Sequence, residues 1–218
     1  MTFSTMVSQL AGGLLVSIEI FLLTLAGSLP LGLLVAFGRM SKWKPLRLLV
    51  QLYISIMRGT PLVLQLMVVY FGPPMLFGWN IPRFSSVILG MILNYAAYFA
   101  EIYRGGIESM PAGQYEAAAV LGYTKTQTFC KIIMPQVFKR ILPSVTNEVI
   151  TLVKDTSLAR IISLQEVIWA GYSFLKGSHG YSGLIWPLFF TGVYYLVFNG
   201  ILTLFFGWLE KKLDYFRA

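Results

Sequence analysis

Long stretches without a charged residue alternate along this chain with short basic ones. Residues 20–38, 59–82, 84–100 and 184–209 hold no Asp, Glu, Lys or Arg. Each is close to or above the roughly 18 to 20 apolar residues that cross hydrocarbon as a helix. The pattern predicts five spans: Leu10 to Gly38, Leu48 to Gly72 ending at Pro73-Pro74, Phe84 to Tyr103, Leu142 to Ile162, and Gly183 to Leu209. The expected fold class is an all-α membrane protein with five transmembrane helices. It forms a single transmembrane domain over residues 1–218, with its longest connection at 104–139.

Composition supports this reading. Of 218 residues, 56% are hydrophobic and only 12% charged, about half the charge of an ordinary soluble domain. The net charge of +8 would suggest nucleic acid in a soluble chain, but its placement excludes that partner. Arg39, Lys42, Lys44 and Arg47 fill the first connection, and Arg104, Lys125, Lys131, Lys139 and Arg140 the third. Lys211, Lys212 and Arg217 fill the tail. With five spans these segments share one side, which the positive-inside rule makes cytoplasmic. The N-terminus is then outside and the C-terminus inside. No Lys or Arg precedes Arg39, so the first apolar run reads as a retained helix rather than a cleaved signal. Trp43, Trp79, Trp169, Trp186 and Trp208 fall near span ends, where an indole finds both lipid and water. One cysteine, Cys130, excludes an internal disulfide, and one histidine, His179, argues against a histidine-based metal site.

The 104–139 connection carries the most specific signal. Pro111 and Gly113 punctuate it, Gln114 to Leu121 is a strong helix-forming stretch, and Gly122 suits a left-handed helix end. Lys125 to Met134 reads as a second short helix, stopped by Pro135. The spacing Glu116-Ala117-Ala118, Gly122, Ile132, Met134-Pro135 resembles the EAA loop of binding-protein-dependent ABC importers, with Met134 where Leu is more usual. Arg58-Gly59-Thr60-Pro61, the stretch from Asn94 through Glu101 to Gly106, and Lys154-Asp155-Thr156-Ser157-Leu158 resemble the permeases for polar amino acids of the histidine, glutamine and arginine group.

The resemblance implies a type I importer fold in a bacterial inner membrane. It implies a second permease copy or a homologue, an external amino-acid-binding protein, and an ATPase dimer that binds ATP and Mg. The cytoplasmic loop would be the coupling helix docking into that ATPase through Gln114, Tyr115, Glu116, Ala117, Ala118, Leu121 and Gly122. No Gly-x4-Gly-Lys-Ser/Thr loop is present, so no cofactor is expected on this chain itself.

Ionisable groups at membrane depth cost roughly 2.5 to 3.5 kcal/mol each on insertion, so they line a cavity or find a partner. Glu148, with Asn147 and Thr151 beside it, is the preferred contact for an amino-acid ammonium; a buried pair with a cation is the structural alternative. Asn94 and Tyr98 share a helix face and either bind the same ligand or pack between helices. Arg58 either meets a substrate carboxylate or pairs with Glu101, and Lys154 with Asp155 reads as structural or gating. Glu19 and His179 receive no role. Two other functions fit less well. A self-sufficient carrier sits awkwardly with five spans and no internal repeat. A membrane enzyme based on Glu148, Asp155 and Ser157 has no full catalytic set.

Overall fold

The computed structural model describes residues 3–176 and 185–213, and among these every regular element is helical. Helix α1 covers Phe3–Arg39, α2 Lys44–Gly59, α3 Leu62–Phe77 and α4 Arg83–Glu108. A short α5 covers Ala112–Val120 and α6 Lys125–Gln127. Helix α7 covers Met134–Asp155, α8 Val167–Lys176 and α9 Ile185–Lys212. His179 and Arg217 lie outside the described residues.

Helix α1 packs most extensively on α4. At Gly32 an added Cβ would lie 2.8 Å from the Phe99 Cβ and 3.1 Å from the Ala96 carbonyl, so glycine permits the close approach. Ile20 and Phe21 of α1 join Val87, Met91, Tyr95 and Phe99 of α4, Leu66 of α3 and Val149, Leu152 and Val153 of α7 in the main core. Phe21 meets Phe198 of α9 edge-on at 5.2 Å.

Among the described residues, three helices are long and apolar enough to cross a membrane: Val7–Arg39, Arg83–Glu108 and Trp186–Lys212. The expected second span is not continuous. It is broken into α2 and α3, which meet at 109°; the pair raises the number of candidate spans to four if it crosses as one unit. Pro61 is the cause: it lacks an N–H and holds Thr60 extended at φ −120° and ψ 149°. Pro73 and Pro74 instead lie inside α3, and Gly78 closes it at φ +70°. The expected fourth span appears as α7 plus a 3-10 segment, Thr156–Ile162. It is not among the helices apolar enough to cross a membrane, and its Glu148, Lys154 and Asp155 leave one face polar.

Pro135 does not stop a helix, contrary to expectation. It is the second residue of α7, directly after a π-helical segment, and the helix runs on through it. The preceding segment, Thr128–Ile133, is a π-helix in which Met134 N–H reaches back to the Phe129 carbonyl. The chain therefore stays helical from Lys125 to Ile162.

Candidate functional site

Two regions concentrate unpartnered chemistry. The first is the elbow between α4 and α7. Helix α5 ends in a Schellman turn: Tyr123 N–H donates to the Ala118 carbonyl and Gly122 N–H to that of Ala119, both at 3.0 Å, with Gly122 at φ +76°. Thr124 and Gln127 then cap the next helix reciprocally. Arg140 donates to the Ser109 carbonyl at 3.1 Å, tying α7 to the start of the elbow. The outcome is a short helix with an exposed apolar end: Val120 is 88% and Leu121 73% exposed, and Tyr115 and Tyr123 are exposed beside them. Glu116 and Ala117 share this exposure. Ala118 does not. It is buried, so it belongs to the elbow's own packing rather than to the expected docking face. Gln114 is half-buried and accepts from the Gln136 amide at 3.4 Å.

The second region lies where α2 ends against α4, on the side from which Arg58 acts on Glu148 of α7. Arg58 is 3.9 Å from Glu101 and sits over the Tyr98 ring at 5.3 Å, so the structure brings these three expected residues together. Glu101 is held more tightly by Arg104, at 2.7 Å, and Arg104 also reaches Glu108. Among the described residues Glu148 makes no ion pair; the charged groups near enough to act on it are Arg58 and Asp155. Asp155 accepts a 2.7 Å hydrogen bond from Tyr95. Asn147, Thr151 and Lys154 are exposed and Glu148 and Asp155 half-buried, so α7 presents one polar face over a little more than two turns. The Thr151 hydroxyl donates to the Asn147 carbonyl of its own helix.

Asn94 faces the α2–α3 break. It is 4% exposed, and its amide donates to Gln65 and to the Met57 carbonyl. This is the packing alternative, because the α2–α3 break leaves carbonyls that need donors. Gln65, Tyr95 and Glu166 are the residues the sequence did not single out. Gln65 was legible as a lone amide in an apolar run. Glu166 is fully buried, where its carboxylate caps α8 by accepting from Ile168 and Trp169 N–H at 2.7 and 2.8 Å. Burial pushes that carboxyl up to about 7, and the two donors pull the other way.

A separate cavity of about 360 Å³ opens among α1, α4, α7 and α9, lined by Leu29, Tyr103, Val137, Val149, Phe206 and others. Its walls are almost wholly apolar, so it does not suit a zwitterionic ligand. Among the described residues no cluster of His, Cys, Asp and Glu fits a metal.

A bundle of apolar helices with one charged face, and an exposed elbow at its end, fits an integral membrane permease. The chain belongs to the family described as binding-protein-dependent transport system inner membrane component, whose model matches residues 28–215. It is 37% identical to the arginine transport system permease protein ArtQ of Bacillus subtilis (strain 168), across 92% of this chain and 90% of that one. It is 33% identical to the L-cystine transport system permease protein TcyB of the same organism, across 96% and 88%. Among solved structures, a crystal structure of an amino acid ABC transporter with histidines matches with a TM-score of 0.86 and 31% identity, covering 97% of this chain and 99% of that one. The MetNI methionine ABC transporter in an inward-facing conformation shares the fold at a TM-score of 0.71 and 17% identity, across 98% and 100%. Family membership supports a transporter subunit over a self-sufficient carrier.

Proposed function

We propose that this chain is the pore-forming subunit of an ATP-driven, binding-protein-dependent importer for polar amino acids. The relatives named for arginine and cystine support that substrate class. In this reading the spans are α1, the broken α2–α3 pair, α4, α7 with its 3-10 segment, and α9. The basic connections lie in the cytoplasm of a bacterial inner membrane, with the N-terminus outside.

The observation that supports the proposal is Arg58, which sits over the Tyr98 ring and near enough to Glu148 of α7 to act on its charge, with Asp155 further along the same face of α7. Glu148 and Asp155 receive the substrate ammonium, or a cationic side chain, and Arg58 receives the carboxylate. Such opposed charges recognise a zwitterion at low hydration cost. Asn147, Thr151 and Lys154 line the same route. A second permease copy, or a homologous one, covers this face.

ATP and Mg are held by a separate ATPase dimer. It grips the exposed side of α5, through Tyr115, Glu116, Ala117, Leu121 and Gly122. Closure of that dimer moves the elbow, and the elbow moves α7. The site then faces the external binding protein, accepts the amino acid, and turns inward after hydrolysis.

The test is reconstitution of permease, ATPase and binding protein in proteoliposomes, with a panel of amino acids scored by stimulated ATP hydrolysis and uptake. The expected result is stimulation by one or a few polar amino acids, and its loss in Glu148→Gln. Uptake by the permease without its ATPase would refute the proposal.

A further inference from the structure

Helix α2 ends where Pro61 forces Thr60 out of the helix, leaving carbonyls without partners in their own helix. Gln65, in the first turn of α3 and 8% exposed, supplies them. Its Nε2 donates to the Met57 carbonyl at 2.9 Å, the Thr60 carbonyl at 3.1 Å and the Thr60 hydroxyl at 2.8 Å, sharing two protons among three acceptors. Its Oε1 accepts from Asn94 Nδ2 of α4 at 2.9 Å. Asn94 Nδ2 also donates to the Met57 carbonyl at 3.2 Å. One backbone oxygen is thus held by amides from two different helices.

The next residue is Arg58. Its contacts, Tyr98 and Glu101, lie with Asn94 on a single stripe of α4, at i, i+4 and i+7. The amide lock and the guanidinium therefore register the end of α2 against the same surface. The side chain itself is weakly restrained: it is 45% exposed, and its ion pair with Glu101 spans 3.9 Å. Contacts of that kind hold a long side chain poorly. The aim of Arg58 must come largely from its backbone, and that backbone is pinned one residue away.

We infer that Gln65 is a positioning residue for Arg58: by clamping the Met57 carbonyl onto Asn94, it sets the direction in which the guanidinium enters the polar face. The inference rests on the reading of Arg58 as the carboxylate-facing cation. It gives a buried amide 7 positions away in the sequence a role in transport without touching the substrate.

Two measurements on the full complex decide it. The first is a double-mutant cycle in proteoliposomes with Gln65→Leu, Arg58→Gln and both together. Gln65→Leu alone lowers uptake at least about fivefold, and it has no further effect once Arg58 is gone. Losses that simply multiply mark a general structural role and overturn the inference. The second needs no substrate. Arg58→Cys, in a Cys130→Ser background, is modified by a water-soluble maleimide, with Gln65 intact or changed to Leu. A several-fold change in rate is expected, and equal rates overturn the inference. If Arg58→Gln leaves uptake intact, the substrate reading of Arg58 has failed instead, and the cysteine rates alone decide the positioning. Should Gln65→Leu fail to reach the membrane, Gln65→Glu replaces it, keeping the volume and losing the donors.

Discussion

The phenolic hydroxyl of Tyr95 on α4 donates to the Asp155 carboxylate at the end of α7, 2.7 Å away. Tyr95 is itself 2% exposed and stands in the main core. A buried tyrosine thus anchors the point where α7 tightens into its 3-10 segment. Hydrogen bonds to charged groups contribute about 1.5 to 3 kcal/mol. Tyr95→Phe should therefore lower the thermal midpoint of the purified permease–ATPase complex, read by intrinsic fluorescence. An unchanged midpoint would mean that Asp155 finds another donor.

Gly122 makes a second case. Its φ of +76° is unfavourable for any residue with a Cβ, yet nothing lies within 4 Å of where that Cβ would be. The cost of Gly122→Ala is then conformational alone, about 1 to 2 kcal/mol, and the protein should still insert. Gly122→Asp adds bulk and charge at the exposed end of α5. Co-purification with the ATPase should be lost in that variant while membrane levels persist. Retained co-purification would argue that the ATPase grips elsewhere.

Gly32 tests the α1–α4 seam. Replacing it with Leu drives side-chain atoms into Phe99 and the Ala96 carbonyl, an overpacking that costs about 1 to 3 kcal/mol or more. Gly12, on the same helix, has nothing within 4 Å. Gly32→Leu should collapse the monodisperse peak in size-exclusion chromatography of the tagged protein, and Gly12→Leu should not.

Glu166 predicts a pH dependence. Its folded value, about 7, lies above the usual 4.5. Between those two values the folded state holds a proton that the unfolded state has released. Stability therefore falls as pH rises from about 4.5 to 7. Thermal scans across that window should show the decline in the natural protein and a flatter profile in Glu166→Gln. Parallel profiles would assign the slope to other groups.

Much of the helical plan was legible because apolar runs between Arg39, Arg58, Arg83 and Glu210 have the length that hydrocarbon demands. The elbow was legible too, since Gly122 and the Pro111 punctuation act locally. What sequence reasoning missed depends on contacts between distant segments. Asn94 stayed open between ligand and packing because nothing in its own helix shows that Met57 and Gln65 will claim its amide. Pro135 looked like a terminator because a π-turn, which shifts the hydrogen-bond pattern by one residue, leaves no mark in composition. Glu166 escaped notice because its value lies in capping a short helix, and one acidic residue before an apolar run is a common sight.

The unbroken course of backbone from Lys125 to Asp155 has a mechanical meaning. At about 1.5 Å per residue its path is roughly 45 Å, with a π-helical segment at Thr128–Ile133 and Pro143 inside α7 along the way. One end stands beside the elbow and the other at Asp155, with no loop between them to absorb a push. If a partner presses on the near end, a continuous helix passes tilt or twist on towards the far end, and Glu148 and Asp155 of α7 move with it.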